Sequence, residues 1–169
     1  RSSVLKVADG FVKYKVLRQQ TGAREIPVSL TWFSTANYRN AKYTDGIDHL
    51  MSDRLSYHHQ LIIARKWNSS FSTVVSPALV HWNLVPDATD PNSTVNLTLG
   101  GRYKLTNRIT LTGEYTLISN SGYSDGTSFT APFGLGLDIE TGGHVFQLHI
   151  SNTRAMSTPY WMTKNVYQA

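Results

Sequence analysis

The sequence contains no cysteine, which excludes disulfide frameworks, thiolate metal centres and c-type haem attachment. It also lacks any run of about 18 apolar residues, the length a membrane-crossing helix needs. Its longest apolar stretches are strand-sized, such as Leu61 to Ala64. Charge is scarce: Asp, Glu, Lys and Arg make up 16% of the chain, against ~25% in an ordinary soluble domain. The basic residues are dispersed, with no Lys/Arg run. The net charge of +5 and pI near 9.5 therefore leave no footprint for nucleic acid. They suit a mildly basic surface, or a cationic patch facing anionic solutes or lipopolysaccharide. No initiator Met and no signal peptide precede Arg1-Ser2-Ser3, which reads as a mature or truncated product.

What is present is β-structure. The 169 residues suffice for one domain. Aromatics reach 11%, with nine Tyr and four Trp, the residues that membrane–water interfaces favour. Period-two alternation dominates. Ile109, Leu111, Gly113, Tyr115 and Leu117 alternate with Thr110, Thr112, Glu114 and Thr116. Before them Val95, Leu97, Leu99, Gly101, Tyr103 and Leu105 alternate with Asn96, Thr98, Gly100, Arg102 and Lys104. Thr106-Asn107 joins the two as a hairpin connection. Similar runs hold Val12, Tyr14 and Val16; Leu30, Trp32, Ala36 and Tyr38; Leu55, Tyr57, Leu61 and Ile63; Phe133 to Ile139; and Phe146, Leu148 and Ile150. Phe71 to Trp82 is apolar on both faces, and Pro77 within it predicts a bulge or a weakly paired stretch. About eight strands result, each near the ~9–11 residues of a tilted bilayer-crossing strand.

The connections sort by length. Trp67 to Phe71, Thr106-Asn107 and Thr141-Gly142-Gly143 are tight turns. Arg39 to Arg54, Asn83 to Ser93 and Ser119 to Ala131 are long and polar. Short and long alternate after the second strand, as in outer-membrane barrels with short periplasmic turns and long outer loops. Alternation alone fits equally a soluble barrel with an apolar interior. The membrane reading gains from strand length, from interface aromatics (Trp32, Tyr38, Trp67, Tyr103 and Tyr115), and from a polar face of Thr, Ser, Asn and Gly. The fold class expected is all-β: an antiparallel up-and-down transmembrane β-barrel.

Candidate chemistry is sparse. Lys13, Lys15, His58, Lys66, Arg102, Lys104, Glu114, Asp138, Glu140 and His149 fall on the lumen side of that barrel. They read as a salt-bridged interior or as a channel's selectivity lining. Asp138 and Glu140 are i, i+2 neighbours on one face, not a hydrolase pair. His58 and His59 face oppositely, as do His144 and His149, so no metal site and no cofactor is expected. Ser56 and His58 share a face but have no Gly-x-Ser-x-Gly elbow. No catalytic residue is assigned.

Four stretches resemble an uncharacterised outer-membrane β-barrel family of Bacteroidota: Asp9 to Leu17 with Pro27 to Ser29, Arg54 to Trp67, Gly100 to Thr106, and Gly136 to Leu148. The resemblance spans nearly the whole chain and implies fold and location, an integral outer-membrane protein, but no reaction. It also implies further strands, so Arg1 to Ala8 reads as the remnant of an upstream loop or strand. The absence of a terminal aromatic after Val166-Tyr167-Gln168-Ala169 suggests missing residues there too. The chain would then be one domain, residues 1–169, either closing alone or forming part of a barrel of about 12 strands. The expected role is a non-enzymatic channel or a structural subunit of an envelope complex, with membrane lipid, lipopolysaccharide and other envelope proteins as partners. A lipocalin-like binder of a hydrophobic ligand and a lipid-modifying outer-membrane enzyme are the alternatives.

Overall fold

A computed structural model describes residues 6–41, 43 and 45–166. Eight strands follow one another: β1 (Val7–Leu17), β2 (Ser29–Arg39), β3 (Leu55–Lys66), β4 (Phe71–Trp82), β5 (Ser93–Lys104), β6 (Ile109–Ile118), β7 (Phe133–Glu140) and β8 (Val145–Ser151). A short helix, α1 (Thr158–Thr163), closes the order. Each strand pairs antiparallel with the next in a single eight-stranded meander. The expected strand count and alternation of faces are present, although β7 and β8 have only 8 and 7 residues. Short turns and long loops alternate as expected from β2 onward. Residues 67–70, 105–108 and 141–144 turn at one end, and residues 40–54, 83–92 and 119–132 loop at the other.

The turns form for local reasons. Asn68 Oδ1 accepts from the main-chain N–H groups of Ser70 and Phe71, both at 2.8 Å. Thr106 Oγ1 accepts from those of Arg108 and Ile109 at 3.1 and 3.0 Å. These side-chain acceptors build an Asx turn and a Ser/Thr turn. Gly142 supplies a left-handed residue (φ 77°) in the third turn, where a Cβ would be strained.

The sheet is open, and this corrects the expected barrel. β1 and β8 are its two edges and do not pair with each other. Alternation fixes which side chains share a face, and connection length fixes which strands are neighbours. Neither carries information about how a first and a last strand meet. The reading of these eight strands as a barrel closed by themselves falls with closure. Unpaired N–H and C=O groups along β1 and β8 could not be left in hydrocarbon.

Pro77 leaves a defect inside the sheet. The β3–β4 register runs through Gln60↔Ala78 and resumes at Ile63↔Val75, skipping Leu61 and Ile62. Leu61 stands opposite Pro77, which has no N–H to give its carbonyl. The Ser76 hydroxyl supplies the missing donor, reaching the Leu61 carbonyl oxygen at 2.9 Å. The weakly paired stretch expected at Pro77 is therefore present on the β3 side, while pairing to β5 continues through Pro77↔Leu97.

Ser76→Ala should strand that carbonyl and destabilise the domain by about 1–3 kcal/mol, the cost of an unsatisfied buried acceptor. In a Pro77→Ala background, where residue 77 regains an N–H, the same substitution should cost less. A double-mutant cycle of urea unfolding midpoints in detergent reads the difference.

Candidate functional site

The two faces of the sheet differ in an unusual sense. The polar face is the protected one. Thr31, Thr35, Asn37, Ser56, His58, Thr94, Asn96, Thr98, Thr110 and Thr116 are all buried. The opposite face carries Val12, Tyr14, Trp32, Leu61, Val75, Leu79, Leu99, Leu111, Leu117, Leu135, Leu148 and Ile150, all exposed. Register holds each set together across the strands, as in Trp32↔Leu61, Leu99↔Tyr115 and Leu137↔Leu148 for the apolar face, and Thr98↔Thr116 for the polar one. The Thr98 and Thr116 hydroxyls are 2.8 Å apart.

The interface aromatics named from the sequence lie on the apolar face. Trp32, Trp67, Tyr103 and Tyr115 are exposed and Tyr38 is half-buried. Trp67 stands at a short turn, donates its ring N–H to Thr73 Oγ1 at 2.9 Å and is covered by the Arg65 guanidinium 4.0 Å from the ring centre. Tyr103 meets the Phe71 ring beside it at a tilt, with planes 60° apart and centres at 6.4 Å. Amphipathic rings at strand ends are what a membrane interface selects.

The ten charged and histidine residues assigned to a lumen share the polar face, but the sheet does not gather them. Lys13 and Lys15 lie on the β1 edge, opposite Phe33 and Thr31. Lys66 and Lys104 stand near the short turns, and Glu140 ends β7. Asp138 accepts from Gln147 Nε2 at 3.0 Å. No ion pair links any of these residues among the described ones, where the two pairs join His49 to Asp45 and Asp53 in the 40–54 loop. The salt-bridged interior expected from the sequence is therefore absent from that set. Its members are separated by strand spacing and interleaved with Thr and Gly.

Three of the ten do converge. Arg102, Glu114 and His149 line a cleft of about 570 Å³ on the polar face, together with Ser72, Thr112 and Ser151. Glycines make the room. A Cβ at Gly136 would collide with the Thr112 hydroxyl and approach His149 Nδ1 to 2.6 Å, and one at Gly134 would come within 3.1 Å of Glu114 Oε1. Arg102 donates to Thr110 Oγ1 at 3.3 Å.

The long-loop end of the polar face is filled instead by α1, which sequence periodicity does not reveal. Met162 and Tyr160 pack on Ala78, Val80 and Trp82 of β4 and on Val7 of β1. This explains why β4 is apolar on both sides. Trp82 Nε1 donates to Thr163 Oγ1 at 3.0 Å, and the Trp82 and Tyr160 rings meet edge to face at 4.7 Å. Asn165 ties the segment to Thr130 by two hydrogen bonds. The signal available in sequence is Ser157-Thr158-Pro159, with Pro in the first helical turn. Loops join the cap: buried Asp90 accepts from the Ser124 N–H at 2.8 Å and from the Ser124 hydroxyl at 3.1 Å.

Charge at this end is poorly neutralised. Lys164 Nζ sits 3.9 Å from the Trp82 ring centre and 5.2 Å from that of Tyr123. Burial, with Arg39 adding repulsion, lowers its pKa to about 8, while Asp125 pulls the other way. Arg39 lies over the Tyr43 ring at 4.1 Å. Burial raises both the Tyr123 and Tyr160 hydroxyls to about 12.

Ser56 and His58 are both buried, but neither His58 nitrogen has a hydrogen-bond partner, so they form no nucleophile–base pair. The Ser–His contacts that exist lie on the other face: Ser34 Oγ to His59 Nδ1 at 2.9 Å and Ser93 Oγ to His81 Nδ1 at 2.8 Å. No carboxylate orients either ring among the described residues. The same residues contain no cluster of three metal-ligating side chains.

Met162→Ala should loosen the cap, costing about 2–5 kcal/mol if the segment stays docked. Hydrogen exchange at the Thr130 and Lys164 amides, which bond within the cap, should quicken. Because the folded Lys164 pKa is depressed, the unfolded chain binds more protons between about pH 8 and 10.5, and stability should rise with pH across that window. The tyrosines, raised to about 12 in the folded state, lose their contribution as pH climbs from 10 to 12. The thermal midpoint should therefore peak near pH 10 in the unaltered protein, and the rise from pH 8 should vanish in Lys164→Met.

No curated protein matches the chain, and no solved structure does. One family model does, described as "Membrane bound beta barrel domain (DUF5777)", over residues 1–168. No helix among the described residues is long and apolar enough to cross a membrane. The chain belongs to this family of membrane-bound domains, with a sheet open at β1 and β8.

Proposed function

We propose that this domain is a non-enzymatic structural component of the bacterial outer membrane, seated with its apolar sheet face against lipid and serving as a subunit of a larger envelope assembly. One observation carries the proposal: the polar face of the central strands β2–β6 is largely buried, while the apolar face is bare. Outer membranes hold proteins through β-structure, and the sorted short and long connections suit a sheet with two unlike sides.

The alternatives have weaker support. A lipocalin-like binder keeps its apolar face inward to hold its ligand, the reverse of this arrangement. A lipid-modifying enzyme needs a nucleophile, a base and a group orienting that base, and the two Ser–His contacts lack the third. A channel needs a water path along the polar face, and α1 with its loops occupies one end of that face. A structural subunit makes none of these demands. It also accounts for two sheet edges whose hydrogen-bonding groups suit protein partners. Membrane lipid, including lipopolysaccharide, would meet the apolar face and its aromatic rim.

Density-gradient flotation with outer-membrane lipid vesicles tests the membrane part. The protein should float with the vesicles and should need detergent to stay monodisperse. A monodisperse species in plain buffer that stays at the bottom of the gradient overturns the reading. In planar bilayers no conductance steps should appear, and stable unitary currents would replace the structural role with a channel.

A further inference from the structure

The apolar face is not uniform. Where Pro77 interrupts the β3–β4 ladder, a depression of about 400 Å³ opens, walled by Trp32, Leu61, Pro77, Leu79 and Val95 with His59 at its margin. That volume falls within the ~300–1,000 Å³ range of small-molecule sites, enough for part of an acyl chain and too small for a protein segment of any length. The surrounding surface is continuous with the face assigned to lipid.

His59 gives the depression one polar feature. Its ring stacks on Trp32, with planes 5° apart and centres at 6.4 Å. Its Nδ1 lies 2.9 Å from the Ser34 hydroxyl. Two neighbours thus fix the orientation of the imidazole. When the Ser34 hydroxyl donates to Nδ1, the ring proton sits on Nε2, which has no partner among the described residues. An oriented N–H donor on an otherwise apolar surface fits a carbonyl at the head of a hydrocarbon chain.

We infer that the depression over Pro77 is a specific lipid site, taking one acyl chain of a diacyl phospholipid against Trp32, Pro77 and Leu79, with an ester carbonyl accepting from His59 Nε2. The site rests on the reading of this face as lipid-facing, but it is a separate claim: a face can be coated by lipid without holding any one molecule. Pro77 has a part in making it. The absent N–H removes a ladder bond, and the Ser76 hydroxyl satisfies the freed carbonyl from the polar side.

Native mass spectrometry of the detergent-released protein, titrated with phosphatidylethanolamine, tests the site. One lipid should be retained per chain. Leu79→Trp should fill the depression and abolish retention. Val95→Phe, at the opposite wall, serves if circular dichroism shows the first variant unfolded. His59→Leu should weaken retention about fivefold, the factor that one neutral hydrogen bond is worth. Each variant is also floated with vesicles. Flotation with lipid retention unchanged in both filling variants overturns the site and leaves the membrane reading intact. Retention unchanged in His59→Leu overturns the assigned carbonyl contact. Failure of the unaltered protein to float overturns the membrane reading and the site with it.

Discussion

The face of the sheet that none of the described residues covers is its apolar one, and most of the molecule follows from that. Twenty large apolar side chains of the strands lie on that face and are more than a third exposed. The largest apolar patch on a typical soluble monomer is only ~300–600 Å², less than a face of this many half-exposed side chains presents. A membrane seated on that face, as proposed, would supply its burial, in keeping with the family's membrane-bound description.

The polar face meets the complementary rule only in part, since the His58 ring nitrogens, the Asn96 amide and the Thr94 hydroxyl are buried with no hydrogen-bond partner among the described residues. Buried polar groups must be hydrogen-bonded or lie where burial costs little. Thr98 and Thr116 satisfy that rule across one strand pair, where the hydroxyls meet at 2.8 Å. At the long-loop end the rule changes, because α1 supplies an apolar partner and β4 answers with Ala78, Val80 and Trp82. Toward the short turns no described element covers the sheet, and Gly100, Gly134 and Gly136 leave a cleft. The strands themselves are continuous through both regions, and the covering segment alone divides capped end from open end.

Much of this is legible in the sequence, and the failures have physical causes. Period-two alternation locates all eight strands and both faces, even at Phe33 and Ser34, where polarity and side are exchanged. Loop sorting distinguishes the two ends. Pro77 marks a weak ladder, but Ser76 as its remedy needs the three-dimensional register. The expected closure fails because a meander and a barrel share every local signal and differ only at β1 and β8. The helix escapes a periodicity reading because six residues are too few for a period of 3.6 to show. Parity alone places the lumen residues on one face, and parity does not bring Lys13 near His149 when seven strand spacings separate them.

The edges limit what the apolar face can do by itself. β1 alternates Lys13 and Lys15 with Val12 and Tyr14 and ends in a register shift between Lys15 and Leu17, the devices by which proteins discourage uncontrolled pairing. β8 has no such irregularity. Its seven residues, Val145 to Ser151, are all exposed and in regular register with β7. Hydrocarbon would penalise every unpaired group along either strand by several kcal/mol. Lipid against the face, as proposed, would require hydrogen-bond partners along the edges as well, which lipid cannot supply. Water, a further strand or another protein must supply them. Of the two edges, β8 is the better prepared for protein, being regular, exposed and free of charged side chains apart from histidine.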